Sequence, residues 1–187
     1  MKSIKDLKIK TKEGLEVKNL QRFPSMEWGP EGGLQADLYV NGEYVGQVYQ
    51  AGDGGCASYT YPGVEASRKL AEAGITFLKR VDKNYGPNTP YDWLKDKSTK
   101  TFQDDDIEAI VGNIEERYEN VKTAKKAFKE GYKAVAILQN DYEKRTLAYK
   151  VADITVKEVR EYMCKQKLDK KYPEVEIITC NDNLSVL

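Results

Sequence analysis

Residues 34–61 read LQADLYVNGEYVGQVYQAGDGGCASYTY, and the fold follows from how this stretch is parsed. Leu34, Ala36, Leu38 and Val40 alternate with Gln35, Asp37 and Tyr39, the period-two pattern of a strand with one buried face. Asn41-Gly42 comes next, the strongest two-residue hairpin signal, because a type I′ turn needs positive φ at both central positions. On the return strand, Tyr44 to Gln50, Val45 and Val48 fall out of strict alternation around Gly46, which predicts a β-bulge. After the Gly52-Asp53-Gly54-Gly55 break, Ala57 to Tyr61 reads as a third strand stopped by Pro62-Gly63.

Upstream, residues 1–22 alternate lysines with apolar side chains and predict a short hairpin around Glu13-Gly14. Phe23 to Gly33 is rich in Pro and Gly and reads as an irregular loop containing Trp28, with no central strand. Downstream the period changes. Ala66, Leu70, Ala73, Phe77 and Val81 recur at helical spacing and predict a helix over 64–83. Residues 84–103, with Gly86-Pro87, Thr89-Pro90 and Trp93, read as a connector holding at most one helical turn, Tyr91 to Lys95. The longest helix is predicted over 104–130, with an apolar stripe running from Ile107 to Phe128 and Gly131 as its C-terminal cap. A hairpin, Ala134–Leu138 with Thr146–Val151, follows around Asn140-Asp141. Thr155 and Glu158 have capping-box spacing and start a third helix. Val175–Thr179 is a last strand, and 181–187 read as loose.

This order, β-β-β-β-β-α then α-β-β-α-β, predicts an α+β fold with antiparallel sheets and three main helices. It divides into an N-terminal lobe at 1–83, the connector at 84–103 and a C-terminal lobe at 104–187; one continuous sheet fits the same order.

Composition narrows the chemistry. Among 187 residues, 30 acids balance 30 bases, which argues against a chain held to nucleic acid by global positive charge. Histidine is absent, which removes histidine-based nucleophile pairs and general bases and most zinc and non-haem iron sites. Cys56, Cys164 and Cys180 form no CxxC pair, and the charged N-terminus lacks a leader's apolar core. Together they predict reduced thiols in a bacterial cytoplasm, with no cofactor implied.

Four features could carry function. The Gly52–Cys56 loop could cradle a phosphate, but no helix follows it directly and no base accompanies Cys56, so a turn or a binding loop is the simpler reading. Tyr39, Tyr44, Tyr49, Tyr59 and Tyr61 suit strand propensity, or else anchors of an interface. Asp104, Asp105 and Asp106 suit a helix start better than a Mg²⁺ site, since consecutive helical residues fan around the axis. Lys122, Lys125, Lys126 and Lys129 form a basic ridge, a solvated face or a phosphate contact.

The segment LQADLYVNGEYVGQVYQAGDGGC resembles small accessory proteins of bacteriophages and other mobile elements of Gram-positive bacteria. Anti-CRISPR inhibitors, which bind an RNA-guided nuclease and block DNA loading or cleavage, are among them. The resemblance covers 34–61 and carries no catalytic signature. It implies a non-enzymatic, protein-binding inhibitor of a host nuclease that acts by occlusion. Tyr39, Tyr49 and Tyr59 would be the anchors, Asp53, Gly54 and Gly55 part of the contacting loop, and Asp53, Asp104, Asp105 and Asp106 the acids that occupy basic DNA-contacting surface. The alternatives are a nucleic-acid-binding accessory domain using the lysine ridge, and a histidine-free enzyme or nucleotide-binding domain.

Overall fold

A computed structural model of the chain describes residues 2–25, 29–52, 57–82, 85, 104–140 and 143–187, with the side chains of 2, 3, 5, 6, 31, 104 and 105 left aside. The elements run β1 (Lys2–Lys10), β2 (Leu15–Ser25), β3 (Gly29–Val40), β4 (Glu43–Gln50), β5 (Ser58–Thr60), α1 (Val64–Val81), α2 (Asp104–Lys129), β6 (Ala134–Gln139), β7 (Lys144–Tyr149), α3 (Val156–Lys165) and β8 (Glu174–Thr179). Among the described residues, three helices and two antiparallel sheets make an α+β fold in the expected order. Two compact units divide within α2. One comprises residues 1–117 with 185–187, the other residues 118–184. The sequence reading placed its connector earlier, at 84–103, and of that segment only Tyr85 lies within the described residues.

The first unit is built on an antiparallel meander, β1-β2-β3-β4-β5. Asn41 and Gly42 take φ values of 52° and 82°, the two positive angles that a type I′ turn needs to close β3 on β4. Register then decides which side chains are inside. Leu38 faces Gly46, but Tyr39 faces Tyr44, so β4 carries one extra residue there. That bulge puts Val45 and Val48, three residues apart, both in the core with no solvent exposure. A matching irregularity lies on β2 between Lys18 and Gln21, where Asn19 takes φ 50° and Val17 and Leu20 both stay inside. The inner face is apolar: Leu15, Val17, Leu34, Ala36, Leu38 and Val48 are all buried. Helix α1 contacts β2, β3 and β4 and buries Ala66, Leu70, Gly74, Phe77 and Leu78. Each buried Leu, Val or Phe contributes about 1.5–3 kcal/mol. The first half of α2 buries Ile107, Ile110, Val111 and Ile114 in this unit. Its Glu115 receives both Nε and an Nη of Arg22, at 3.1 and 2.9 Å, which ties the helix to β2.

Two expectations about this unit are corrected. Phe23 to Gly33 is no loop: β2 runs to Ser25 and β3 starts at Gly29, so most of the segment is hairpin strand. Pro24 is tolerated because β1 pairing ends at Lys2–Arg22, and because the β3 register shifts between Phe23 and Ser25. No ladder bond is required of its missing N–H. The end of the chain is not loose either. Ser185 and Leu187 bond to Lys10 and Lys12 through main-chain groups, and Val186 pairs in parallel with Lys10. Arg80 completes the strap, with its guanidinium 2.8 Å from Glu13 and 3.1 Å from the Leu187 carbonyl oxygen.

In the second unit β6 lies between β7 and β8 and is buried on both faces. Ala136 and Leu138 meet Val159 and Met163 of α3, and Val135 and Ile137 meet Ala124 of α2, giving a helix–sheet–helix sandwich. Asn120 sits under α2 and spans the sheet, donating to Glu176 at 2.7 Å and accepting from Lys144 at 3.3 Å. Both end caps follow from sequence. Thr155 and Glu158 form the predicted capping box, and α2 ends in a Schellman pair, Tyr132 N–H to Ala127 O and Gly131 N–H to Phe128 O.

Gly52 tests the sheet's end. Its φ is 74°, and a Cβ there would lie 2.5 Å from the Ser25 Cβ and 2.8 Å from the Gly32 carbonyl carbon. Gly52→Ala should lower unfolding free energy in urea by more than the about 1–3 kcal/mol of φ strain alone. Gly42→Ala, with equally positive φ and open space, should cost only that strain.

The Arg80 hydrogen bond holds the Glu13 carboxyl below its ordinary pKa of 4.5, opposed by burial. A depressed folded value stabilises above the unfolded one and is lost as pH falls through the folded one. Melting temperature should therefore drop as pH falls below the ordinary carboxylate range, and Glu13→Gln should flatten part of that slope.

Candidate functional site

Because the inner face of the meander is covered, the question passes to its outer face. Opposed residues on antiparallel strands share a face, so the register defines its rows. One row is Phe23 and Gly33, the next Gln21, Gln35, Tyr49 and Ser58, the next Lys18, Asp37, Gln47 and Thr60, and the last Glu16, Tyr39 and Tyr44. Aromatic pairs occupy the two ends. Phe23 stacks on Tyr49 with ring centroids 5.7 Å apart, and Tyr39 meets Tyr44 edge-on at 5.6 Å. Between them, Gln35 to Tyr39 spans four residues, about 13 Å at strand rise.

Each anchor is held in place. A Cβ on Gly33 would lie 2.2 Å from a Phe23 ring carbon, so the ring lies flat across that glycine and covers its backbone. The Lys18 ammonium sits 4.2 Å from the Tyr39 ring centroid, a cation–π contact, and 3.6 Å from Glu16. Asp37 is fixed from both sides, its two oxygens accepting from Asn19 at 2.6 Å and Gln47 at 2.8 Å. Burial, then the charge of Asp37 and the Tyr39 phenol, push the Tyr44 hydroxyl above its ordinary pKa, so Tyr44 is a neutral donor at physiological pH. Tyr44 and Tyr49 remain 41% and 44% exposed, large apolar surfaces open to solvent on a rigid scaffold.

The sequence-derived site divides under this geometry. Tyr39 and Tyr49 share the outer face. Tyr59 does not: it pairs with Val48 on the inner side and stacks with Tyr61 at 6.2 Å. Asp53, Gly54, Gly55 and Cys56 lie outside the described residues, as does Trp28. Asp104 and Asp105 begin α2 with side chains outside the described set, and Asp106 is buried beside Tyr85. Burial of Tyr85, first, and then Asp106 raise that tyrosine's pKa far above the ordinary phenol range. Lys122, Lys125, Lys126 and Lys129 are exposed on the half of α2 that belongs to the second unit, and Lys122 lies 3.4 Å from Glu119. Phe23, Gln21, Gln47, Lys18 and Asn19 were missed. Phe23 was hidden by the loop reading of 23–33, and Lys18 and Asn19 by the bulge on β2.

Among the described residues no three His, Cys, Asp or Glu side chains could hold a metal ion, and no helix is long and apolar enough to cross a membrane. No protein-family model, curated protein or solved structure matches the chain.

The arrangement offers aromatic anchors around a hydrogen-bonding row of near-balanced charge. Phe23→Ser should uncover Gly33 and release Tyr49, lowering stability by about 1–2 kcal/mol. Asp37→Asn should change stability by less than about 1.5 kcal/mol, because both its neighbours are polar groups near solvent. Urea titration of both variants checks the pair.

Proposed function

We propose that this chain is a non-enzymatic binding protein that docks a partner protein on the outer face of its five-stranded sheet. The observation that supports the reading is the pair of braced aromatic clusters, Phe23–Tyr49 and Tyr39–Tyr44, each with one exposed tyrosine, flanking the Asp37 amide network. Tyrosines give large amphipathic contact area at low conformational cost, and interface hot spots are rich in them. Lys18 and Glu16 offset one another within the face, so affinity there comes from aromatic burial and hydrogen bonding rather than phosphate neutralisation. Five strands at about 4.8 Å spacing and about 20 Å of length give about 480 Å², a little over half of what each partner buries in a stable complex. A face of that area suits a transient complex, or one to which flanking loops contribute.

The likeness of 34–61 to phage accessory proteins makes an RNA-guided nuclease the partner to test first. Occlusion would then run through the tyrosine face, with no part for Asp106, which is buried. A photo-crosslinking amino acid replacing Gln35 should join the protein to a purified nuclease complex and accompany loss of DNA cleavage. Combining Tyr44→Ser with Tyr49→Ser should weaken binding at least tenfold, about 1.4 kcal/mol. Absence of both crosslink and inhibition across several nucleases removes the nuclease as partner. Undiminished binding by the double variant removes the face.

A further inference from the structure

A sheet edge exposes unpaired main-chain donors and acceptors, and folded proteins usually protect it by covering, shortening, bulging or charging it. The four edges here differ in protection. Edge β1 is irregular at Lys8 and is covered at Lys10 by the parallel bridge to Val186. Edge β5 has three residues, and Pro62 follows two positions after it. Edge β8 carries Glu174 and Glu176 after Pro173, and most of its residues are at least half-buried. Among the described residues, edge β7 is guarded by charge alone, from Lys144 and Arg145. It is six residues of unbroken register against β6, from Gln139–Lys144 to Ala134–Tyr149, with no proline and no bulge. Lys144, Arg145, Thr146 and Ala148 are exposed, and among the described residues β7 has a neighbouring strand on one side alone.

We propose that the free edge of β7 takes up an extended, acidic segment of a partner protein as an added strand. Main-chain pairing would supply affinity and alternate side chains specificity, as in other strand-addition complexes. Charge selects the occupant. Exposed Lys144 and Arg145 open the strand, Lys150 follows its end, and Lys133 joins that end through its N–H to the Tyr149 carbonyl at 2.7 Å. Glu143, the acid beside Lys144, is held by Lys171. Two β7 edges from two copies would bring these cations together, which disfavours a self-paired dimer. Lys144 and Arg145 are consecutive and point to opposite faces, so a segment with glutamate on both faces meets them with opposite charge. This edge belongs to the second unit and does not depend on the aromatic face of the first.

The probe is a fluorescein-labelled peptide of paired glutamates alternating with paired valines, which puts glutamate on both faces, about six residues long, the usual strand length. Added to the full chain, it should give saturable anisotropy and slow amide exchange within β7. Arg145→Glu and Lys150→Glu should each weaken it about threefold, as exposed charge pairs are worth well under tenfold. The same peptide N-methylated at alternate residues should not bind. Failure of the parent peptide to bind overturns the proposal. So does equal binding of the N-methylated peptide or of a lysine-for-glutamate peptide, or protection that maps elsewhere than β7. Concentration-dependent self-association abolished by Arg145→Glu also overturns it, by assigning the edge to the acidic β8 of a second copy.

Discussion

One inserted residue governs the first unit. On a regular strand, residues five apart point to opposite faces, so Tyr44 and Tyr49 could not both look outward. The bulge opposite Leu38 and Tyr39 changes the count, and Val45 and Val48 go to the core while Tyr44 and Tyr49 stay on the surface. Everything built on the outer face needs that change of phase, including the Tyr39–Tyr44 contact and the Phe23–Tyr49 stack. Asn19 makes the corresponding change on β2 and places Lys18 against the Tyr39 ring while Leu20 stays buried. Two irregularities thus let five strands carry an apolar face and an aromatic–polar face at once.

The second unit solves the opposite problem. Its central strand has no outer face to spare, since Ala134 to Leu138 are buried throughout and helices cover both sides. Among the described residues, the buried polar side chain of this unit is Asn120, whose amide joins Glu176 and Lys144 across the sheet. With both faces of its central strand covered, what this unit offers a partner lies at its strand edges and on the outward sides of its helices.

The long lysine ridge illustrates how position decides meaning. Lys126 and Lys129 sit in the last turn of α2, where cations complement the negative end of the helix dipole. That local benefit accounts for part of the charge without any ligand. At the start of α2, Asp106 is buried and so unavailable to a basic surface of a partner.

Local signals carried much of the fold. Period-two and period-3.6 patterns marked the elements and their order, Asn41-Gly42 set its turn, Gly46 its bulge, and Thr155 with Glu158 their cap, because each acts over a few residues. What depended on pairing between distant segments was not legible. Phe23 to Gly33 resembles a loop by composition, yet becomes a hairpin because Pro24 falls where no ladder bond is required. Tyr59 and Tyr49 look alike in sequence, and only the β4–β5 register sends them to opposite faces. The last three residues gain their place from Lys10 and Lys12, more than 170 positions away in the chain. Outside Phe23 to Gly33, the chain's own residues determined which segments would be strands and helices and which turns could form. Tertiary pairing decided which side chains share a surface, since a face is a property of register between strands and not of any one of them.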